Sequence, residues 1–277
     1  MKKHGSTILL ILILLIGLSL LLYPTFSDWW NSYTQSMAIV GYDQVLSQMS
    51  EEDYTHLFAQ AEDYNRRIKM IDYPLMYHEE VPGYYEALNL TGNGIMGYVQ
   101  IPKIDVALPV YHGTSETVLQ IAVGHLEGTS LPTGGPGTHC ALSAHRGLPS
   151  ARLFTDLNKM ELGDTFTLTV LDRVLTYQVD QILIVEPREV EPLYVVEGED
   201  YCTLVTCTPY GINTHRLLVR GTRVENPEEK KVRIVTADAI QIEPIIMAPL
   251  LAAPMLLVLL IGVLIPKPKK NRRMDIE

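Results

Sequence analysis

Basic residues are scarce in this chain of 277 residues, which has 22 lysines and arginines against 32 aspartates and glutamates. Seven of the basic residues and two of the acidic ones lie at the two ends, so the middle has 15 basic and 30 acidic residues and a net charge of −15. Nucleic-acid binding requires clustered lysine and arginine. The composition therefore argues against a nucleic-acid partner, and the acidic charge favours solubility or a basic protein partner.

Cysteine is rare as well, with only Cys140, Cys202 and Cys207. An odd count in an exported domain indicates at least one free thiol. No CxxC or HExxH spacing occurs, so zinc is a weak alternative use for Cys140 and the histidines. Counted along the predicted strands, Cys140 and Cys202 fall on one face and Cys207 on the other. This parity allows a Cys140–Cys202 disulfide if the strands are neighbours, and the alternative is that both thiols pack as small apolar side chains.

Two long apolar runs lie near the ends of the chain. Residues 7–26 reach the roughly 20 residues that a membrane-spanning helix needs, with two lysines before them and two tryptophans after them. No small-x-small cleavage site follows, which favours an uncleaved anchor over the alternative of a signal peptide. Residues 245–265 contain no charge and precede five basic residues, which favours a second spanning helix over a buried core helix. Because positive flanks stay cytoplasmic, we expect both termini inside and the residues between the anchors outside.

Between these runs the pattern changes from helical to extended. Apolar residues recur every three or four positions over residues 35–70, and Ser50 followed by Asp53 predicts the cap of a second helix there. Residues 71–93 are rich in turn-forming and aromatic residues and predict a loop. Residues 115–122 predict a short helix. Strands are predicted at residues 96–101, 106–111, 140–145, 165–170, 174–179, 182–185, 201–207 and 216–220. Many short strands separated by turns indicate a sandwich or a barrel.

A thiol, an arginine and a histidine stand at the ends of three predicted strands. Residues 203–210 (TLVTCTPY) place Cys207 at a strand end, and residues 214–221 (THRLLVRG) begin the next strand with Arg216. A thiol held beside a fixed positive charge becomes a reactive thiolate. Residues 140–147 (CALSAHRG) end on His145 before a glycine turn, and this histidine can exchange the proton that a cysteine nucleophile and its leaving group require.

Taken together, these motifs resemble the sortase family. The matching segments are residues 143–147 (SAHRG), 203–210 (TLVTCTPY) and 215–221 (HRLLVRG). Residues 124–132 (GHLEGTSLP) and 147–157 (GLPSARLFTDL) are similar to the class C branch, which builds pili. The resemblance covers residues 97–223. It implies a mainly β protein, a closed eight-stranded sortase-type barrel, with N-terminal helices and two flanking transmembrane helices.

The resemblance also implies roles for individual residues. Cys207 would be the nucleophile, His145 the general acid and base, and Arg216 the group that stabilises the oxyanion and the substrate, with no cofactor and no metal. Class C sortases carry a lid with an Asp-Pro-aromatic tripeptide, whereas residues 72–74 read DYP. We expect Asp72 to pair with Arg216 and Tyr73 to cover the thiol, the alternative being an ordinary linker turn.

The function implied is that of a membrane-anchored cysteine transpeptidase. It would cleave an LPxTG-like sorting signal of a surface or pilin protein between Thr and Gly and transfer the acyl group to an amine, here expected to be a pilin lysine. A peptidoglycan-precursor amine, transfer to water as in a cysteine peptidase, and a catalytically silent scaffold are the alternatives. The segments expected are residues 1–6 (cytoplasmic), 7–26 (anchor), 35–70 (helices), 71–93 (lid), 94–236 (barrel), 237–244 (linker), 245–265 (second spanning helix) and 266–277 (basic cytoplasmic tail).

Overall fold

The computed structural model of the protein describes residues 5–226. Contacts divide these residues into two units, one reaching Phe26 and the other beginning at Ser27. The expected linker, second spanning helix and basic tail, residues 237–277, lie outside the described residues. Within residues 5–226, one helix has an apolar stretch long enough to cross a membrane.

Two long helices precede the strands. Helix α1 spans Gly5–Leu46, so the expected anchor and the first helix after it form one element without a break at residue 26. Helix α2 spans Glu51–Ile68 and begins at Ser50, whose side chain and that of Asp53 form the reciprocal capping box that the sequence predicts. Two short helices follow, α3 at Pro74–Tyr77 and α4 at Glu116–Leu119.

Eight strands form a closed barrel in the order β1-β2-β3-β4-β7-β8-β6-β5, which confirms the predicted eight-stranded barrel. Their bounds are Ile95–Ile101 (β1), Val106–His112 (β2), Val123–His125 (β3), Thr138–Ser143 (β4), Thr165–Val170 (β5), Arg173–Val185 (β6), Asp200–Thr208 (β7) and His215–Val224 (β8). Strand β2 pairs with β3 and strand β4 with β7 in parallel, and the other neighbours are antiparallel.

The structure has eight strands, as predicted, but the predicted and observed strands differ in two places. The predicted strands at residues 174–179 and 182–185 are one strand, β6, whose register shifts between Val179 and Gln181. The turn-like irregularity in the sequence is therefore a bulge inside a strand. Strand β3 was not among the predicted strands, because three residues are too few to show an alternating pattern.

The helices pack on the barrel through apolar side chains with a few polar contacts. On α1, the buried hydroxyl of Tyr42 donates to the carbonyl oxygen of Met96 at 3.1 Å and accepts from the amide of Leu171 at 2.9 Å. On α2, the buried amide of Asn65 bonds both the carbonyl oxygen and the amide nitrogen of Leu131. Buried polar groups need such partners, and these bonds fix where each helix meets the barrel.

Candidate active site

Parallel pairing of β4 with β7 brings His145 beside Cys207. The register runs from Thr138 opposite Asp200 to Ser143 opposite Val205, so two further residues on each strand reach His145 and Cys207. The pairing continues beyond the end of β4, because the amide of Ala144 donates to the carbonyl oxygen of Val205 at 3.1 Å. The hydroxyl of Thr206 donates to the carbonyl oxygen of Ala144 at 2.7 Å. These two bonds hold the two backbones together immediately before the cysteine and the histidine.

On the opposite side of β7, antiparallel strand β8 places Arg216 directly across from Cys207. The cysteine therefore lies on the middle one of three neighbouring strands, between the histidine and the arginine. All three residues are partly exposed. Nη1 of Arg216 donates to the carbonyl oxygens of Asn213 at 3.2 Å and His215 at 3.1 Å. Within residues 5–226, Nε and Nη2 of Arg216 have no hydrogen-bond partner and remain free to bind a substrate oxygen.

The three side chains lie on the outer face of the barrel above an apolar floor. Strand residues alternate between the two faces, and Leu204 and Leu217 belong to the main core inside the barrel. Val205 and Leu218 pack instead in a separate cluster on the same face as Cys207 and Arg216. Ala141 of β4 joins this cluster, which we call the groove floor. A substrate chain reaching Cys207 along β7 would pass over it.

The segment expected to form a lid lies on this floor. Leu75 of α3 packs against the groove floor, together with Leu126. The backbone of α3 approaches Gly128 so closely that an added Cβ would lie 2.5 Å from the carbonyl oxygen of Pro74 and 2.7 Å from Cα of Leu75. Gly128 also has φ +88°, which favours glycine. The start of the 71–93 segment is therefore in contact with the site face of the barrel.

The expected contacts of Asp72 and Tyr73 are not observed. Asp72 is exposed, and among the described residues it forms no ion pair with Arg216. Tyr73 is 66% exposed and has φ 58°, the left-handed conformation that begins α3. Because that turn points the chain into α3, the residue that reaches the floor is Leu75, one position beyond the tripeptide. In the sequence, the only indication of this contact is a single leucine in a turn-rich segment.

The later part of the 71–93 segment is fixed by three polar contacts, two buried and one exposed. The hydroxyl of Tyr84 lies 2.9 Å from Nδ1 of His125, a fully buried ring. The hydroxyl of Tyr85 donates to Glu127 at 2.6 Å, and this bond raises the pKa of Tyr85 to about 12. Nε2 of His112 lies 2.8 Å from the carbonyl oxygen of Ala87. The buried contact of His125 with Tyr84 therefore indicates a structural role for this histidine.

Arg146 connects the two strand ends that carry the histidine and the cysteine. Its Nη1 donates to the hydroxyl of Thr208, next to Cys207, at 3.2 Å, and its Nε donates to the carbonyl oxygen of Thr155 at 3.1 Å. The guanidinium also lies 5.9 Å from the ring centroid of Tyr210. No pattern in the sequence indicates this cross-strand bond.

The other two cysteines are on the opposite face, as the predicted parity requires. Cys140 and Cys202 are 3% and 0% exposed, belong to the main core and are free thiols. Within residues 5–226, no group of three histidine, cysteine or acidic side chains is arranged to hold a metal ion. The three candidate side chains at the site are a thiol, an imidazole and a guanidinium.

A closed β-barrel with a surface cysteine between a histidine and an arginine on neighbouring strands defines a class of cysteine-based barrel enzymes. Residues 99–224 match the model of the sortase domain family. Sortase C1 of Streptococcus agalactiae is 49% identical, with 69% of this chain and 100% of that chain covered and a TM-score of 0.63. The chain belongs to the sortase family, whose members are cysteine transpeptidases, and to its class C branch.

Further similar proteins are also sortases. A sortase C of Streptococcus pneumoniae, studied for pilin substrate specificity, is 47% identical over 69% of this chain and 97% of that chain, with a TM-score of 0.61. Among curated proteins, sortase SrtE1 of Streptomyces coelicolor is 27% identical over 78% of this chain and 56% of its own length. Sortase A of S. agalactiae is 32% identical over 41% of this chain and 47% of its own length. The chain thus spans about half the length of these curated relatives.

Proposed function

We propose that this protein is a membrane-anchored cysteine transpeptidase that joins surface proteins through their sorting signals. The observation that carries the proposal is the position of Cys207 between His145 and Arg216 on three neighbouring strands. The signal would be LPxTG-like, and the acceptor would be a lysine amine of a pilin. The acceptor is inferred from the class C relatives, one of which has been studied for pilin substrate specificity.

The reaction follows from the three side chains. The sulfur of Cys207 attacks the carbonyl carbon of the signal threonine, and the developing oxyanion accepts hydrogen bonds from the free donors of Arg216. His145 gives a proton to the departing glycine nitrogen, which leaves a thioester on Cys207. An amine then attacks the thioester carbon while His145 takes back a proton, and the thiolate leaves. One peptide bond is broken and one amide bond is formed.

The groove floor would supply binding energy for the signal. Leucine and proline side chains are apolar, and the floor offers Val205, Leu218 and Ala141, which lie on the strands that lead to the three reacting groups. Burying apolar area there stabilises the complex by about 25 cal/mol per Å². An extended peptide on the floor would present its threonine carbonyl to Cys207.

The segment at residues 71–93 would act as a lid. Leu75 packs on the floor that the signal would use, so the signal and the lid compete for the same apolar surface. We propose that the lid is held through Leu75 and the backbone contact at Gly128 rather than through Asp72 and Tyr73.

The location proposed is the cell membrane, with the barrel outside and both termini in the cytoplasm. Helix α1 is apolar enough to span a membrane, and the charge pattern at the two ends of the chain supports this orientation. An anchored enzyme outside the cell would meet both membrane-held substrates and their amine acceptors.

The test is mass spectrometry of the full chain in detergent micelles, incubated with an LPxTG peptide and a lysine-containing acceptor peptide. Wild type should form an amine-linked product and a trapped acyl adduct on Cys207, and Cys207→Ala should form neither. His145→Ala should lose the product, whereas His215→Ala, which changes a histidine next to Arg216, should retain it. Hydrolysed peptide without amine product would favour a peptidase. Product formation by Cys207→Ala would refute the proposal.

A wall-anchoring enzyme is distinguished by the acceptor. Offering the lysine peptide and a peptidoglycan-precursor amine together should give mainly the lysine product if the pilin assignment is correct. Preference for the precursor amine would keep the transpeptidase and overturn the pilin role.

A further inference from the structure

Cys140 and Cys202 face each other across two neighbouring strands inside the barrel. They are register partners in the parallel pairing of β4 with β7. Neighbouring strands lie about 4.8 Å apart, within the Cα separation of roughly 4.4–6.8 Å that a disulfide spans. Because both side chains point to the same interior face, the two thiols are placed for a bond that the present state lacks.

The two thiols are chemically different. Burial opposes ionisation of both thiols, but the neighbouring Cys202 and His125 lower the pKa of Cys140. Burial and the neighbouring Cys140 raise the pKa of Cys202. Cys140 is therefore the first of the pair to become a thiolate, the form that attacks a disulfide.

The position of the pair relates it to the active site. Cys140 precedes His145 by five residues, and Cys202 precedes Cys207 by five residues. The two cysteines therefore lie at one level of the two parallel chain segments, and His145 and Cys207 lie together five residues further along. A covalent bond at one level would fix the register that brings His145 to Cys207 at the other.

We propose that Cys140 and Cys202 form a reversible disulfide site, oxidised by small-molecule disulfides outside the cell, that braces the two strands carrying His145 and Cys207. The pair takes no part in acyl transfer, so the inference is independent of the proposed function.

The chemistry is two thiol–disulfide exchanges. The Cys140 thiolate attacks one sulfur of a small disulfide, and the other sulfur leaves as a thiolate with the bonding electrons. Cys202 loses its proton, and its sulfur attacks Sγ of Cys140 in the mixed disulfide, which releases the second small thiolate. The two protons from the protein thiols end on the released thiols. The protein is oxidised by two electrons, and the small disulfide is reduced by two.

Burial determines when this exchange takes place. The thiols are 3% and 0% exposed, so a small disulfide reaches them only before the barrel closes or when β4 and β7 separate. We expect slow oxidation of the folded protein and fast oxidation during folding.

The experiment uses the full chain with Cys207→Ala, in detergent, so that the surface thiol does not react. The protein is exposed to graded ratios of oxidised to reduced glutathione at temperatures up to the unfolding midpoint, then quenched, alkylated and digested. The expected product is a Cys140–Cys202 cross-linked peptide pair, with the intact protein lighter by two hydrogen atoms. The bond would close a loop of about 60 residues and raise the unfolding midpoint by roughly 5 °C or more, reversed by dithiothreitol.

Two matched variants make the result decisive. Cys140→Ser and Cys202→Ser, each in the Cys207→Ala background, should give no internal cross-link and no rise of the midpoint. The inference is overturned if both thiols of the parent stay fully alkylatable at every glutathione ratio. It is also overturned if the cross-link forms but leaves the midpoint at or below that of the reduced protein.

Discussion

Shortening Leu75 to alanine should open the lid. Leu75 packs against the groove floor, a cluster that includes Val205 and Leu218, which lie two residues from Cys207 and Arg216 on their strands. The substitution removes three carbon atoms from a half-buried side chain. At about 0.8 kcal/mol for each fully buried methylene, the loss for a half-buried side chain is about 1 kcal/mol. That changes the equilibrium between closed and open lid by roughly fivefold to tenfold in favour of the open state.

The assay is the rate at which a bulky thiol reagent labels Cys207 in the full chain. In the regime where lid opening precedes labelling, the rate rises by the same factor as the open fraction, so Leu75→Ala should label roughly fivefold to tenfold faster than wild type. Met76→Ala is the matched control, because Met76 is the next residue on the same helix and is 71% exposed. Peptide cleavage at low substrate concentration should increase in the same proportion.

Equal labelling rates for Leu75→Ala, Met76→Ala and wild type would refute this reasoning. Such a result would mean that Leu75 contributes no closing energy, and that the 71–93 segment either does not cover the site or is held elsewhere.

Three further predictions concern the site and its support. Arg216→Lys lacks the forked donors and should lower kcat/KM by roughly 10²–10³, whereas Arg220→Lys, four residues further on the same strand, should change it little; steady-state transpeptidation measures both. Arg146→Leu should lower kcat about tenfold with KM nearly unchanged, and Arg146→Lys should restore part of it, because Arg146 positions the strand ends without touching substrate. Burial lowers the pKa of His139, so the unfolded chain binds a proton there before the folded chain does as pH falls below about 6.5. The free energy of unfolding should therefore decrease with falling pH, by up to about 1.4 kcal/mol per pH unit from this group. Denaturant titrations at pH 7 and pH 5 should show a smaller decrease for His139→Asn than for His56→Asn, a control at an exposed residue. Equal decreases in the two variants would contradict the prediction.

Most of the barrel was predictable because its strands obey simple alternation. Strand β5 matches the predicted residues 165–170, strands β1 and β2 differ from the prediction by one residue at one end, and strand β7 is longer by one residue at each end. The errors came from features without a local signal. A bulge in β6 interrupts the alternation without ending the strand, and β3 is stable only because longer neighbours pair with it on both sides.

The sequence predicts the candidate site residues but not how they are brought together. Motifs give Cys207, His145 and Arg216 as candidates, and the β4–β7 and β7–β8 registers place these three residues on neighbouring chain segments. The contact of Leu75 with the groove floor was not predictable, because it depends on a left-handed turn at Tyr73 and on the absence of a side chain at Gly128. Both are tertiary properties that a single turn-rich sequence does not specify.

The parallel pairing of β4 with β7 has a consequence for the life of the chain before it is folded. Parallel neighbours require a long crossover, and here β5, β6 and their connections separate the two strands in sequence. Such a non-local contact forms late, after loop closure has been completed. Until β4 and β7 pair, the thiol of Cys207 therefore has no imidazole beside it. A partly folded or truncated chain lacks the thiol–imidazole pair, and only completion of the fold assembles it.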